Sequence, residues 1–366
     1  MQFSIKRDAL LKSLTLVQGV IEKKNTLPIL SNVLLNAKNG KLFIIATDLD
    51  IIFYDEVSEV KIKTEGATTT SATILYDILR KISGNSEIKF NLKNENKINL
   101  ITDNTDFNLL CLPVDNFPNF TDDFEGSEIS FNKSKLLTLL NKTKISISND
   151  DTRHYLNGIY LHITESQNRK YLTGVATDSH RLSSSSIEIE PNKSFHSLIL
   201  PKKTVFQLCN LLADTNEKVL IKTSDSKIKF IIGKTTLVSK IIDGKFPDYR
   251  KVVPVGNDKI LTVLSSDFIQ AIERVITVSI DRKEGVKLEL SKDNIKFSVN
   301  STSSGEGNEV IKSNFTSEEM TVSFNSKYLV DIASEVEDKN LKINIKDPVS
   351  PVLVEDMSDK NSYYVV

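Results

Sequence analysis

The chain repeats itself about every 130 residues, and that period constrains its architecture more than any single motif does. "NFPN" at 116–119 and "KFPD" at 245–248 each follow a strand-like run and a short loop. "GKLFIIATDLD" (40–50) has the same relation to "RKYLTGVATDSH" (169–180), and both place Ala-Thr-Asp at the end of a strand. Hairpin patterns share this register. "VLLNAKNGKLFIIA" turns at Asn39-Gly40, "GIYLHITESQNRKYLTGVA" is its counterpart, and "GVKLELSKDNIKFSVN" (285–300) is a third copy. Their period-2 alternation implies sheets with one buried face. A 3.6-period apolar stripe precedes each hairpin (Leu10, Leu14 and Val17; Leu136, Leu137 and Leu140; Phe268, Ile272 and Val275), and another follows it (Leu75, Ile78 and Leu79; Val205, Leu208 and Leu212; Leu329, Ile332 and Val336). More strands follow each second helix. The pattern predicts an α+β chain of three tandem similar domains, 1–125, 126–255 and 256–366. Each would have two strand-helix-strands halves packed in two layers.

Charge is unevenly placed along this repeat. The net charge is −1, yet the first four helices lean positive at their exposed positions: Lys6, Arg7 and Lys12; Arg80 and Lys81; Lys133, Lys135, Lys142 and Lys144; Lys202 and Lys203. Acids gather in strands and loops, and the helices of the last third are mixed. Lysines on one helix ordinarily just solvate it. A one-signed layer recurring at equivalent places of a repeat is what a phosphate backbone needs. Zinc-finger spacing, a basic zipper and an aromatic-studded RNA-binding strand are all absent, so nucleic-acid contact is expected to the backbone, without sequence preference.

"TDSHR" (177–181) invites a catalytic reading. An extended backbone sets Asp178 and His180 on one face and Ser179 on the other, which defeats an in-line serine relay. A hydrolase or metal pair built on Asp178 and His180 with a distant third group is the minor alternative. The four histidines form no H-x-H or H-E-x-x-H, and no phosphate-binding glycine motif occurs. No cofactor and no metal are therefore expected. Cys111 and Cys209 sit in apolar stretches and read as buried thiols of a reducing compartment. With no signal-peptide pattern and no apolar run near the roughly 20 residues that span a bilayer, a cytoplasmic protein is expected.

Over nearly its whole length the chain resembles the β subunit of bacterial DNA polymerase III. The resemblance is carried by "TLPILSNVLL" (26–35), "ATDLD" (46–50), "FPNF" (117–120), "RHYLNGIYL" (153–161), "ATDSHRL" (176–182), "DGKFPDYRKVVP" (243–254), "FNSKYLVDI" (324–332) and "SYYVV" (362–366). It implies a non-catalytic sliding clamp and processivity factor. Two chains would close head to tail into a ring, helices lining the hole around duplex DNA and sheets outside. The replicative polymerase, the clamp loader and repair proteins would bind through short linear peptides. A monomeric peptide-binding adaptor is the alternative within the same resemblance.

Carried over by motif, the resemblance implies a peptide groove of Leu156, Thr177, His180, Arg181, Leu182, Pro247, Lys251, Val252, Asn325, Tyr328, Val349, Pro351, Val365 and Val366. It implies DNA contact by Lys23, Lys24, Arg80, Arg153, His154, Tyr155, Lys202 and Lys203, and a dimer seam of Phe107 and Leu109 against Ile276 and Val278. Three departures stand out. Ser179 replaces a glycine common in the family, and Lys251 replaces a frequent arginine, exchanging a planar stacking group for a point charge. The family usually continues a few residues beyond the position of Val366 as one groove wall, which leaves open a weaker grip here or an incomplete sequence.

Overall fold

The computed structural model describes residues 1–22, 27–94, 96–119, 124, 128–213, 216–279 and 285–366. Among the described residues, six α-helices lie where the apolar stripes put them: α1 (Arg7–Val17), α2 (Ala72–Lys81), α3 (Lys133–Lys144), α4 (Lys202–Ala213), α5 (Ser265–Val275) and α6 (Ser326–Glu335). Most of each stripe is buried, as with Leu10, Leu14 and Val17 on α1, Leu75 and Leu79 on α2, Phe268 and Ile272 on α5 and Leu329 and Ile332 on α6, while Ile78 and Leu137 are half-buried. Ser71 and Asn325 cap α2 and α6, their side-chain oxygens accepting from the amides of Ile74 and Lys327. Helices α1 and α2 pack together, as do α5 and α6.

The expected hairpins form. Strands Asn32–Lys38 and Lys41–Thr47 are joined at Asn39 and Gly40, whose φ angles of 53° and 72° are the left-handed pair a type I′ turn requires. Gly158, opening the next hairpin, has a different reason: a Cβ there would lie 2.2 Å from the Leu200 carbonyl oxygen.

The chain gathers into two compact units. The first holds residues 1–137, 194–196 and 203–241, the second 138–193, 197–202 and 242–366. Sheets running across the expected joins explain this division. In the first unit, Thr235–Ser239 pairs antiparallel with Ile51–Asp55, fusing strands of the first and second thirds into one thirteen-stranded sheet. In the second unit, Leu182–Ser185 pairs with Ser362–Val365, joining strands of the second and last thirds into a nine-stranded sheet. Residues 285–325 supply a further four-stranded sheet. Every strand pairing among the described residues is antiparallel.

Candidate functional site

The polar motif of the second unit is first of all a turn. Thr177 Oγ1 donates to the Arg181 carbonyl at 2.7 Å and accepts from the Ser179 amide at 3.1 Å. Asp178 Oδ1 accepts from the amides of His180 and Arg181, both at 3.0 Å. The first unit repeats this design. Thr47 Oγ1 donates to the Ile51 carbonyl and accepts from the Leu49 amide, while Asp48 Oδ1 accepts from the amides of Asp50 and Ile51. The third position is left-handed in both, φ 80° at Leu49 and 78° at Ser179. Asp178 is thus occupied in capping a turn, and so is Asp48, which has no histidine beside it.

What differs is the side chain the turn presents. In the second unit Asp178 Oδ2 accepts from Arg181 Nε at 3.1 Å, and Arg181 Nη1 donates to Asp331 Oδ2 at 2.7 Å. The buried guanidinium so fixed lies 4.4 Å from the Tyr328 ring centre, and the His180 ring stacks on Tyr328 at 6.5 Å. Burial pushes the Tyr328 hydroxyl up, with Asp178 adding to the effect. Beside this lies an apolar floor of Leu156, Val175, Leu182, Phe246, Tyr249 and Val365. Val366 exchanges backbone hydrogen bonds with Val352 at 2.8 and 3.2 Å, next to Pro351. Lys251 and Val252 sit exposed on the one-turn helix Tyr249–Val252 after Pro247, whose Tyr249 turns inward, and Val349 is 92% exposed. Aromatic stacking supports the floor. Tyr160 stacks on Phe246 at 5.0 Å and on His162 at 4.6 Å. His162 Nε2 lies 3.1 Å from the Tyr249 hydroxyl. Burial lowers the His162 pKa and pushes Tyr249 up to about 12.

Of the groove candidates, the second unit brings Leu156, Leu182 and Val365 into one apolar floor and His180, Arg181 and Tyr328 into one braced aromatic wall; Thr177 holds the turn, Asn325 caps α6, and Lys251, Val252 and Val349 stand out in solvent. Sequence reading passes over Asp331 and Tyr249. Asp331 had a signal, since it lies three residues after Tyr328 and four after Lys327 on one helix face. Tyr249 had none, because its partner His162 lies 87 residues away.

The DNA-contact candidates fare unevenly. Lys23 and Lys24 lie outside the described residues. Arg80 is exposed at the end of α2, its guanidinium carbon 5.5 Å from the Tyr76 ring. Arg153 Nε donates to Asp150 Oδ2 at 2.9 Å and Nη1 to Ser179 Oγ at 2.5 Å, and the rings of His154 and Tyr155 meet edge to face. Lys202 Nζ donates to Asn149 Oδ1. Lys203 Nζ donates to Asp48 Oδ2 at 2.5 Å and to the Val20 carbonyl, so it braces the first-unit turn as Arg181 braces the second.

One member of the expected basic layer belongs elsewhere. Lys142 is 3% exposed, its ammonium 3.1 Å from Asp356, 2.8 Å from Asp359 and 3.4 Å from Glu337. Counting charges along α3 missed acids more than 190 residues downstream.

Of the seam candidates, Phe107 is 37% exposed and Leu109 only 9%; alternation along their strand, Asp106–Leu112, puts both on the same face, with Phe107 toward its less covered end. Leu110, the next residue on that strand and not among the named seam residues, is 73% exposed. Ile276 and Val278 are half-buried on the one-turn helix that follows α5.

A repeated α+β chain whose most reactive-looking motif is consumed in a turn, and whose cleft is apolar with a braced aromatic wall, is built to dock other molecules. Comparison with known proteins specifies which class. The DNA polymerase III beta subunit matches in three successive pieces: its N-terminal domain over residues 1–121, its central domain over 130–248 and its C-terminal domain over 250–366. The beta sliding clamps of Caulobacter vibrioides and Escherichia coli K12 are 35% and 32% identical to the whole chain, which covers 99% of each. Among solved structures, a Bartonella birtlesii sliding clamp bound to griselimycin superposes with a TM-score of 0.94 at 38% identity, covering 100% of this chain and 98% of that one. The Caulobacter crescentus clamp gives 0.95 at 35%, with the same coverage. The chain belongs to the DNA polymerase III beta subunit family. Its function is that of a sliding clamp, a processivity factor that performs no catalysis itself.

Proposed function

We propose that two copies close head to tail into a ring around duplex DNA, with helices lining the hole and sheets outside, and that the domains run 1–125, 126–255 and 256–366. The full-length match to solved clamps carries this reading. Phe107 and the exposed Leu110 form one side of the seam, Ile276 and Val278 the other, and Leu109 supports Phe107 from within. A heterologous contact that closes is one of the few ways a repeated chain makes a finite assembly. Arg80, Lys202 and the basic positions near the second hairpin (Arg153, His154 and Tyr155) face phosphates, with Lys23 and Lys24. Lys203 acts mainly through Asp48. Contact is to the backbone and without sequence preference, which leaves the ring free to slide.

The second-unit groove takes short linear peptides of the replicative polymerase, the clamp loader and repair proteins, in the cytoplasm. Its apolar floor supplies affinity, and Arg181, His180 and Tyr328 orient the ligand. Native mass spectrometry tests the ring: a species of twice the 41.1 kDa chain is expected, and a stable monomer at micromolar concentration would instead favour the adaptor.

A further inference from the structure

The first unit holds a cavity of about 640 Å³ on the sheet face away from its helices. Its position is not arbitrary. Across the second-unit groove, Thr177 pairs with Leu182 and Leu182 with Val365. Across the cavity, Thr47 pairs with Ile52 and Ile52 with Val238. Phe117-Pro118 borders the cavity as Phe246-Pro247 borders the groove, and Leu34 and Ile45 pair as Tyr160 and Val175 do. The cavity is therefore the groove's counterpart in the repeat.

Its lining has the features of a site. Leu34, Ile45, Ile52 and Val238 are apolar on a sheet face that points away from the packed helices, where polar residues are usual. Two cations, exposed Lys227 and buried Lys229, stand on the strand beside Val238, and Tyr54 adds a hydroxyl. The lining also includes Phe124, with Lys229 Nζ 5.6 Å from its ring centre. An aromatic ring under a lysine is thus already accepted there. In the sequence that ring is flanked by Asp122, Asp123 and Glu125, the charge that complements the two lysines.

We propose that this cavity is a second docking site, taking an acidic peptide with one aromatic side chain from a partner protein, in competition with Phe124. Only the ligand class depends on the peptide reading of the second-unit groove; the register match and the lining stand without it.

Methyl NMR of the full-length protein, labelled at Ile, Leu and Val, tests the proposal with the peptide Asp-Asp-Phe-Glu-Gly as probe. Saturable shifts are expected at Ile45, Ile52 and Val238. Phe124→Ala should lower the half-saturating concentration about threefold or more by removing the competitor. Lys227→Glu, at an exposed position, should raise it about tenfold. Unmoved first-unit methyls in Phe124→Ala at millimolar peptide would overturn the proposal, as would shifts confined to Leu182 and Val365. Griselimycin, titrated in parallel, separates the two readings. If it leaves Leu182 and Val365 unmoved, the groove reading fails, whatever the acidic peptide does.

Discussion

Replacing Lys142 by methionine probes the most buried ion cluster described in the second unit. The substitution keeps the length of the side chain and removes its charge, leaving Asp356, whose side chain is fully buried, and Asp359 without their cation. Deleting one partner of a buried pair costs about 3–5 kcal/mol. Here the low end applies, because both carboxylates keep other donors. The Glu337 amide and Ser358 donate to Asp356, and Ser362 and the Asn361 amide donate to Asp359. A loss of about 3 kcal/mol corresponds to a fall in Tm of roughly 6–12 °C for a unit of this size. The pH dependence sharpens the test. Burial alone would raise the Asp356 carboxyl, but hydrogen bonds from Ser358, the Glu337 amide and Lys142 outweigh it and hold the group at about 2. A carboxylate depressed from 3.8 to about 2 adds about 2 kcal/mol of stability above the unfolded value. That contribution disappears as pH falls from about 4 through 2. Lys142, raised above its ordinary 10.5 against the opposing pull of burial, stabilises below that value and loses its contribution only in strong alkali. Urea unfolding of Lys142→Met and of the parent, at pH 7 and again near pH 2.5, should show a deficit of about 3 kcal/mol that shrinks in acid. A neutral-pH deficit under 1 kcal/mol, or one that is the same in acid, would refute the reasoning.

Asp331→Asn should weaken griselimycin or peptide binding several-fold without changing native mass, since it loosens the Arg181 guanidinium beneath Tyr328; calorimetric titration reads this. Leu49→Gly should raise stability by up to about 1 kcal/mol, because a leucine at φ 80° carries a strain that glycine lacks; thermal unfolding measures it. With its pKa held below 6.5 by burial, His162 favours the neutral form on folding, so second-unit stability should be full above pH 6.5 and decline as pH falls through the depressed value. In His162→Gln the urea midpoint should lose that dependence. If the proposed ring forms, Phe107→Ala combined with Leu110→Ala should convert its dimer into monomer, read by sedimentation.

Element positions were legible because the sequence obeys its periods. Leu10, Leu14 and Val17 could only be a helix stripe, and Asn39-Gly40 only a tight turn. The turn at Thr177-Asp178 was half-legible: its repetition at Thr47-Asp48 was visible, but the hydrogen bonds that make both structural were not. Long-range partners stayed hidden. Nothing near Lys142 in sequence announces Asp356, and nothing near Lys203 announces Asp48. The sheet pairings Ile52–Val238 and Leu182–Val365 likewise join strands about 185 residues apart, which is why a chain read as three successive pieces gathers into two units. The groove candidates came from the resemblance. What braces Arg181, the carboxylates of Asp178 and Asp331, is visible only in the structure.

The central claim is that the grip on DNA is topological. The measurement that tests it most directly is retention of the assembled protein on covalently closed circular DNA through a high-salt wash, compared with the same DNA cut once. Encirclement predicts that the protein stays on the closed circle and is lost from the cut one. Equal salt-driven release from both would mean that ordinary electrostatic contact is all that holds it.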